Sequence, residues 1–341
     1  MNRTATDDAV NGSRLRAVVL AAGRSKRMKT EIPKVLHELC GQTLLDYVLG
    51  AIAGVGVGWP EICVVVGFAA DRVLEHLARY PGIQTAEQAE QLGTGHAVSC
   101  AVDFLRGHAG PTLVLAGDMP LVTSASLRRL YEAFCSEGAA CAIGTARVPD
   151  PSGLGRIVRD ERGHFVRIVE EVDATPAEQR INEINTSIYV FDTPALIESL
   201  RELRPDNRQA ELYLTDCPTI MQRRGQKVIA VDAFSADEAA GINSRKELAR
   251  AHALMQERIQ QRLMDEGVTI LDPRTVYIDS RVTIGRDTVV RSHVYIDGPA
   301  TIGERCEIGP FAYIAPGTIV DDGTTIRNNV APQNNVLSTG S

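Results

Sequence analysis

No run of residues in this chain is long and apolar enough to form a helix across a bilayer. The first fifteen residues lack the hydrophobic core of a signal peptide. They are polar, carry Arg3, Asp7 and Asp8, and are read as a disordered tail (1–15). A cytoplasmic location is expected on that basis. An excess of positive charge is also missing. Lysine and arginine number 36 against 43 aspartates and glutamates, for a net charge of −7. That balance argues against nucleic acid as a standing partner. The seven cysteines contain no C-x-x-C pair, which removes the usual metal and redox spacings. They stand among apolar or helical neighbours and are expected to be core thiols in a reducing compartment. No G-x-x-x-x-G-K-[ST] loop and no G-x-G-x-x-G fingerprint is present where the first strand ends.

What is present fills 341 residues, enough for two domains, with 44% apolar and 23% charged residues. From Arg16 to about Val231, short apolar runs alternate with helical stretches. The strand candidates are Ala17–Leu20, Ile62–Val66, Thr112–Ala116, Ala140–Ala146, Phe165–Glu170, Ile184–Phe191 and Lys227–Val231. Helices are expected at Leu44–Ala53, Ala70–Arg79, Thr94–Leu105 and Ser124–Glu137. This α/β alternation predicts a mixed, mostly parallel sheet with helices on both faces, and ligands at the carboxyl ends of its strands. The turn at Arg162-Gly163 predicts a β-hairpin within Arg156–Val169. A long amphipathic stretch, 244–267, is expected to link this domain (16–243) to a second one.

Beyond the linker the texture changes. From Ile278 an aliphatic residue recurs at every sixth position: Ile284, Val290, Ile296, Ile302, Ile308, Ile314 and Val320. A period of six predicts a short parallel β-helix of hexapeptide repeats over 268–325, each hexapeptide forming one face of a triangular coil. The last residues, 326–341, lose the period and are read as a tail.

The first strand candidate runs into Ala21-Ala22-Gly23, followed by the cations Arg24, Lys26 and Arg27, and by Lys34 after Pro33. Small residues let backbone N–H groups approach an anion, and the basic side chains neutralise it, so this stretch suits phosphate. LAAGRSKRM followed by PKVL resembles the L-A-A-G-x-G-T-R-M … P-K loop of nucleotidyltransferases that activate sugar phosphates. Its Ser25 is also similar to cytidylyl- and guanylyltransferases that act on methylerythritol phosphate or molybdenum cofactor.

The run QAEQLGTGHAV (88–98) narrows the resemblance. Side-chain amides such as Gln88 and Gln91 can read a base edge, and Gly93-Thr94-Gly95 permits close backbone approach, although a plain polar turn with a threonine cap would look alike. The run resembles the uridine-reading loop of the bifunctional N-acetylglucosamine-1-phosphate uridyltransferase / glucosamine-1-phosphate acetyltransferase (GlmU) family. LVLAGDMPL ends an apolar strand at Asp118, where a carboxylate can ligate a hard cation. Asp118 resembles the family's magnesium ligand, and Asn243 in Gly241-Ile242-Asn243-Ser244-Arg245 resembles the second. Asn243 also stands where a helix cap would.

The remaining motifs follow in the family's order. Gly153-Leu154-Gly155-Arg156-Ile157 is similar to G-Y-G-R-I, with Leu154 for tyrosine. Glu170 and Asn185 match residues that hold the sugar, with Ser187 where the family has glycine. NRQAELYLTD (207–216) has Ala210 for glycine and Leu212 for tyrosine.

The resemblance implies a Rossmann-like nucleotidyltransferase domain and a left-handed parallel β-helix. It implies uridylyl transfer from UTP to N-acetylglucosamine 1-phosphate with Mg²⁺ as cofactor. Arg27 and Lys34 would be catalytic, and Asp118 and Asn243 would hold the metal. Leu20, Ala22, Gly23, Gln88, Gln91, Gly93 and Thr94 would bind the nucleotide, and Gly155, Glu170 and Asn185 the sugar. Another sugar phosphate, CTP, or a non-catalytic sugar-nucleotide-binding subunit are the alternatives. A homo-oligomer, a trimer through the β-helix, is expected, without nucleic-acid or membrane partners. An acetyltransferase region is not found in the sequence, and that second activity is not expected.

Overall fold

The computed structural model of the chain describes residues 14–24, 26–327 and 336–337. The tail expected over 1–15 lies outside the described residues up to residue 13. Contacts divide the chain into two units. One comprises the chain up to His37 with Leu44–Asn243, the other Glu38–Thr43 with Ser244 onward.

The first unit is built on strands β1 (Arg16–Leu20), β4 (Ile62–Val66), β5 (Gln84–Glu87), β6 (Pro111–Ala116), β7 (Cys141–Arg147), β10 (Glu183–Asp192) and β11 (Val228–Asp232). The short strands β2 (Glu38–Leu39) and β3 (Gln42–Thr43) pair with each other and belong to the second unit. Strands β8 (Arg156–Arg159) and β9 (Phe165–Val169) form the expected hairpin, and β8 touches β10 at Ile184. The sheet order is β11-β7-β10-β6-β1-β4-β5. Every pairing along it is parallel except those of β10, which runs antiparallel to both β6 and β7.

The apolar runs become strands because both faces of the sheet are covered, which suits near-continuous Val, Ile and Leu. Alternate residues enter two separate clusters. Ala17, Val19, Ile62, Val64, Leu113 and Leu115 join one, and Val18, Cys63, Val65 and Val114 join the other. Helices α1 (Leu44–Ala53), α2 (Ala70–Leu77) and α5 (Ser124–Glu137) close the first face through Leu45, Val48, Leu49, Val73, Leu77, Leu127 and Leu130. Helices α3 (Thr94–Cys100), α6 (Thr193–Leu200) and α7 (Cys217–Arg223) close the second through Ala97, Val98, Leu196, Leu200, Ile220 and Met221. The expected Thr94–Leu105 helix is broken at Ala101, and its second part, α4, is Val102–Leu105. All seven cysteines are free thiols and five are buried.

The second unit begins with α8 (Arg245–Asp265), capped by Ser244, whose side chain accepts from the Glu247 N–H. Three parallel sheets follow. From Val276 to Ile326 their paired residues lie 18 positions apart, as Val276 does from Val294 and Ile302 from Val320, while the first pairing, Thr269 with Val289, spans 20 and the last, Ile319 with Val336, spans 17. That is three hexapeptides per coil, a parallel β-helix. The residues of the six-residue period are all buried, from Ile278 at 0% exposure to Val320 at 2%. Part of the stretch read as a tail belongs to the coil. Ile326 continues one sheet, and Val336–Leu337 pairs with Ile319–Val320. The other residues from 328 to 341 lie outside the described residues.

Candidate active site

β1 lies between β6 and β4, and the chain leaves β1 for β4 on one side and reaches β6 on the other. This is a topological switch point, where open α/β sheets leave a crevice at the strands' carboxyl ends. A cavity of about 530 Å³ opens there. Leu20, Ala22, Gly23, Lys34, Gln88, Gln91, Gly93, Thr94, Asp118 and Glu170, all named from sequence, line it.

The phosphate turn is oriented by its own carbonyls. Ala22 O accepts from the Phe68 N–H at 3.1 Å and from Gln91 Nε2 at 3.0 Å. In a trans peptide the next N–H points the opposite way, so the Gly23 N–H is directed away from Phe68 and Gln91, in a residue that lines the cavity. Gly67 makes this packing possible. A Cβ there would stand 2.8 Å from Ala22 Cβ and 2.9 Å from both Ala22 O and Gln88 O. Gly67 was not found from sequence, because nothing local marks it.

The second loop is tied to the same turn. Gln88 is 5% exposed, and its amide donates to Gly93 O at 3.0 Å with His96 Nδ1 3.2 Å away. Gly93 has φ +110°, and a Cβ on it would stand 2.5 Å from Leu212 O. Thr94 Oγ1 accepts from the Leu214 N–H at 3.1 Å, so Thr94 joins the loop to the 207–216 segment rather than capping α3.

Opposite stands a convergent pair of oxygens. Lys34 Nζ donates to Asp118 Oδ2 and, at 2.9 Å, to Asn243 Oδ1. The Lys34 and Asp118 side chains are only 14% and 13% exposed. Asn243 is held close because the Ile242 N–H donates to Asp118 O at 3.0 Å. Ser244 caps α8, so the Asn243 amide is not the cap. Two hard oxygens that meet one ammonium also suit a hard divalent cation. Among the described residues no group of three or more His, Cys, Asp or Glu side chains could hold a metal. Any ion here would therefore complete its shell with substrate phosphates and water.

The sugar-side residues are arranged less directly. Gly155 lies beneath Glu170, where a Cβ would stand 3.3 Å from Glu170 Oε2. Burial pushes the Glu170 carboxyl up, while a hydrogen bond with Thr215 opposes the rise and Asp173 and Asp216 add to it. Asn185 is 6% exposed. Its Nδ2 donates to Tyr189 Oη at 2.7 Å and its Oδ1 accepts from the Ser187 N–H at 3.2 Å. A bulge between Asn185 and Tyr189 brings Ser187 and Tyr189 to the cavity wall. Asn185 thus stands behind the wall, and Ser187 and Tyr189 form it. Ser187 has φ +60° and Ala210 φ +53°, at the two positions where the resembling pattern has glycine. Arg27 is exposed on the Lys26–Met28 turn, anchored by the buried Met28, and is not part of the cavity wall. Tyr213, Thr215 and Glu171 also line the cavity. They come from motifs already recognised, but only the fold shows which members face inward.

Comparison with known proteins gives the family and the fold. The profile of the MobA-like NTP transferase domain matches residues 17–213. The bacterial transferase hexapeptide profile (six repeats) matches residues 299–331. The bifunctional protein GlmU of Pelotomaculum thermopropionicum is 42% identical, over 96% of this chain and 78% of that protein. GlmU of Lactococcus lactis subsp. lactis is 40% identical, over 95% of this chain and 77% of its own length. Among solved structures, a Bacillus anthracis chain described as a glucose-1-phosphate thymidylyltransferase, crystallised with sucrose, superposes with a TM-score of 0.57 at 20% identity. The match covers 71% of this chain and 95% of that one, and it shows a shared fold.

Proposed function

The chain belongs to the GlmU family, and from that premise we propose that it transfers the uridylyl group of UTP to N-acetylglucosamine 1-phosphate. The products are UDP-N-acetylglucosamine, a cell-wall precursor, and pyrophosphate. The observation that carries the reading is that Lys34 and Asp118 line one cavity with Ala22, Gly23, Gln88 and Gln91, and that Lys34 also donates to Asn243 just behind them.

A sugar-phosphate oxygen attacks the α-phosphorus in line, and pyrophosphate leaves. The phosphate monoester is already ionised near neutral pH, so no general base is required. Catalysis then rests on positioning and on neutralising charge. The Gly23 N–H and the Lys34 ammonium serve the phosphates, and Arg27 reaches them from the exposed turn. Gln88, Gln91, Gly93 and Thr94 bind uridine, and Glu170 takes sugar hydroxyls over Gly155 with Asn185 behind. Nucleotidyltransferases of this family work with a divalent metal ion. We assign Mg²⁺, held by Asp118 and Asn243, which would supply charge neutralisation at the reacting phosphates.

A pyrophosphate-release screen of four nucleotides against a panel of sugar 1-phosphates tests the reading. The highest kcat/KM is expected for UTP with N-acetylglucosamine 1-phosphate. A preference for CTP or for another sugar phosphate overturns it. We further assign a cytoplasmic location and a homotrimer. Hexapeptide repeats and the exposed Tyr295, Phe311, Tyr313 and Ile319 of the second unit support self-association. A monomer by light scattering at micromolar concentration overturns the trimer.

A further inference from the structure

Arg156 follows Gly155 in the G-L-G-R-I run, yet no step above uses it. Its guanidinium is 1% exposed, an unusual place for a charge. The groups around it come from separate stretches of chain. One amino group donates to Leu154 O, and the other to Gln179 O at 3.3 Å and to Glu171 Oε2 at 2.6 Å. Glu171 in turn accepts from the Gly153 N–H at 3.2 Å, lines the cavity and is 33% exposed. Arg156 Nε is buried without a partner. A buried charge held this way ties together the segments that supply its partners.

It fixes both sides of the sugar-side wall. On one side are Gly153 and Gly155, on the other Glu170 and Glu171, and the clearance between Gly155 and the Glu170 carboxylate is about one atom wide. We propose that Arg156, through its ion pair with Glu171, is the positioning residue that sets the Glu170 carboxylate for the sugar hydroxyls of the acceptor. The proposal rests on the reading of this cavity as a sugar-1-phosphate site. Arg156 touches no substrate. Its effect is on acceptor binding and leaves the uridine loop alone, because none of its partners belongs to residues 88–95.

Steady-state kinetics with each substrate varied in turn test it on wild type, Arg156→Lys, Arg156→Met and Glu171→Gln. Glu171→Gln keeps the shape and an accepting oxygen at the exposed end of the pair, Arg156→Met removes the buried charge itself, and thermal unfolding shows which variants are folded before their kinetics are compared. The expected result for Glu171→Gln and Arg156→Met is a KM for the acceptor raised tenfold or more, with the KM for UTP within twofold. Arg156→Lys restores part of the loss. Equal changes in both KM values, or no change in either, overturn the proposal. A wild type that turns over no sugar 1-phosphate refutes the functional reading instead. The clamp is then read by amide hydrogen exchange, where Glu171→Gln accelerates exchange at Gly153 and across 171–179 at least tenfold. Unchanged protection there overturns it.

Discussion

Replacing Gly67 by alanine adds one methyl group at the point where the phosphate turn meets the base-reading loop. The backbone of Gly67 is not left-handed, so the substitution changes volume and not conformation. The new Cβ would stand 2.8 Å from Ala22 Cβ and 2.9 Å from Ala22 O and Gln88 O. Ordinary carbon contacts lie at about 3.5–4.0 Å, so the two segments must separate by roughly 0.7–1 Å. Neither is a flexible side-chain tip that can step aside. Overpacking of this kind costs about 2 kcal/mol, a fall in Tm of roughly 4–8 °C for a domain of this size. A misplacement of about 1 Å can cost on the order of 100-fold in rate. The expected result is therefore a folded enzyme whose kcat/KM for UTP, measured by pyrophosphate release, falls about 100-fold. Far-ultraviolet circular dichroism should be unchanged. If Gly67→Ala lowers Tm as stated but keeps kcat/KM within threefold of wild type, the reasoning fails, because the Ala22 and Gln88 segments then need not be held in register.

Further outcomes follow from the same cavity. Asp118→Asn should lower kcat by about 100-fold or more without loss of fold; retained activity, or wild-type turnover in excess EDTA, would remove the metal assignment. Glu170→Gln links stability to pH. Burial raises the folded-state value of this carboxyl, so its ionised form is disfavoured by folding. The cost is present at neutral pH and disappears as pH falls through the raised value into the usual carboxylate range. Glu170→Gln should therefore raise Tm at pH 7 and not near pH 4, while raising the acceptor KM by roughly 10- to 100-fold; thermal scans at both pH values decide it. Ala210→Gly relieves a left-handed backbone at φ +53°. Strain of about 1–2 kcal/mol is released against roughly 0.4–1 kcal/mol of added chain entropy, so Tm should rise by about 1–3 °C. A fall in calorimetric Tm contradicts this.

The sequence by itself determined the parts of this protein that repeat or alternate. A short unbroken apolar run such as Ile62–Val66 suits a strand covered on both faces, and all five of its residues are buried. The six-residue period from Ile278 to Val320 set the coil before any pairing was known, because stacked hexapeptides must bury the same position each time. The residue types around Ala22, Lys34 and Asp118 suited an anion and a hard cation at strand ends, and the resemblance supplied the rest.

Only the tertiary structure decided which residues stand beside one another. Gln84–Glu87 is a polar edge strand with no apolar signal, and its pairing with β4 defines it. The hairpin Glu38–Thr43 lies in sequence between parts of the first unit yet packs with the second, where Gln42 Nε2 meets Ser280 Oγ at 2.9 Å. The bulge in β10 turned Asn185 inward and brought Tyr189 to the wall. Gly67 looks ordinary in sequence and Arg156 is one letter of a motif whose role the sequence did not give, and each is placed by neighbours that include residues from other segments. Burial period is a local property and can be read along the chain. Register, bulges and the meeting of loops at a switch point are set by long-range pairing and packing, which no local stretch of residues encodes.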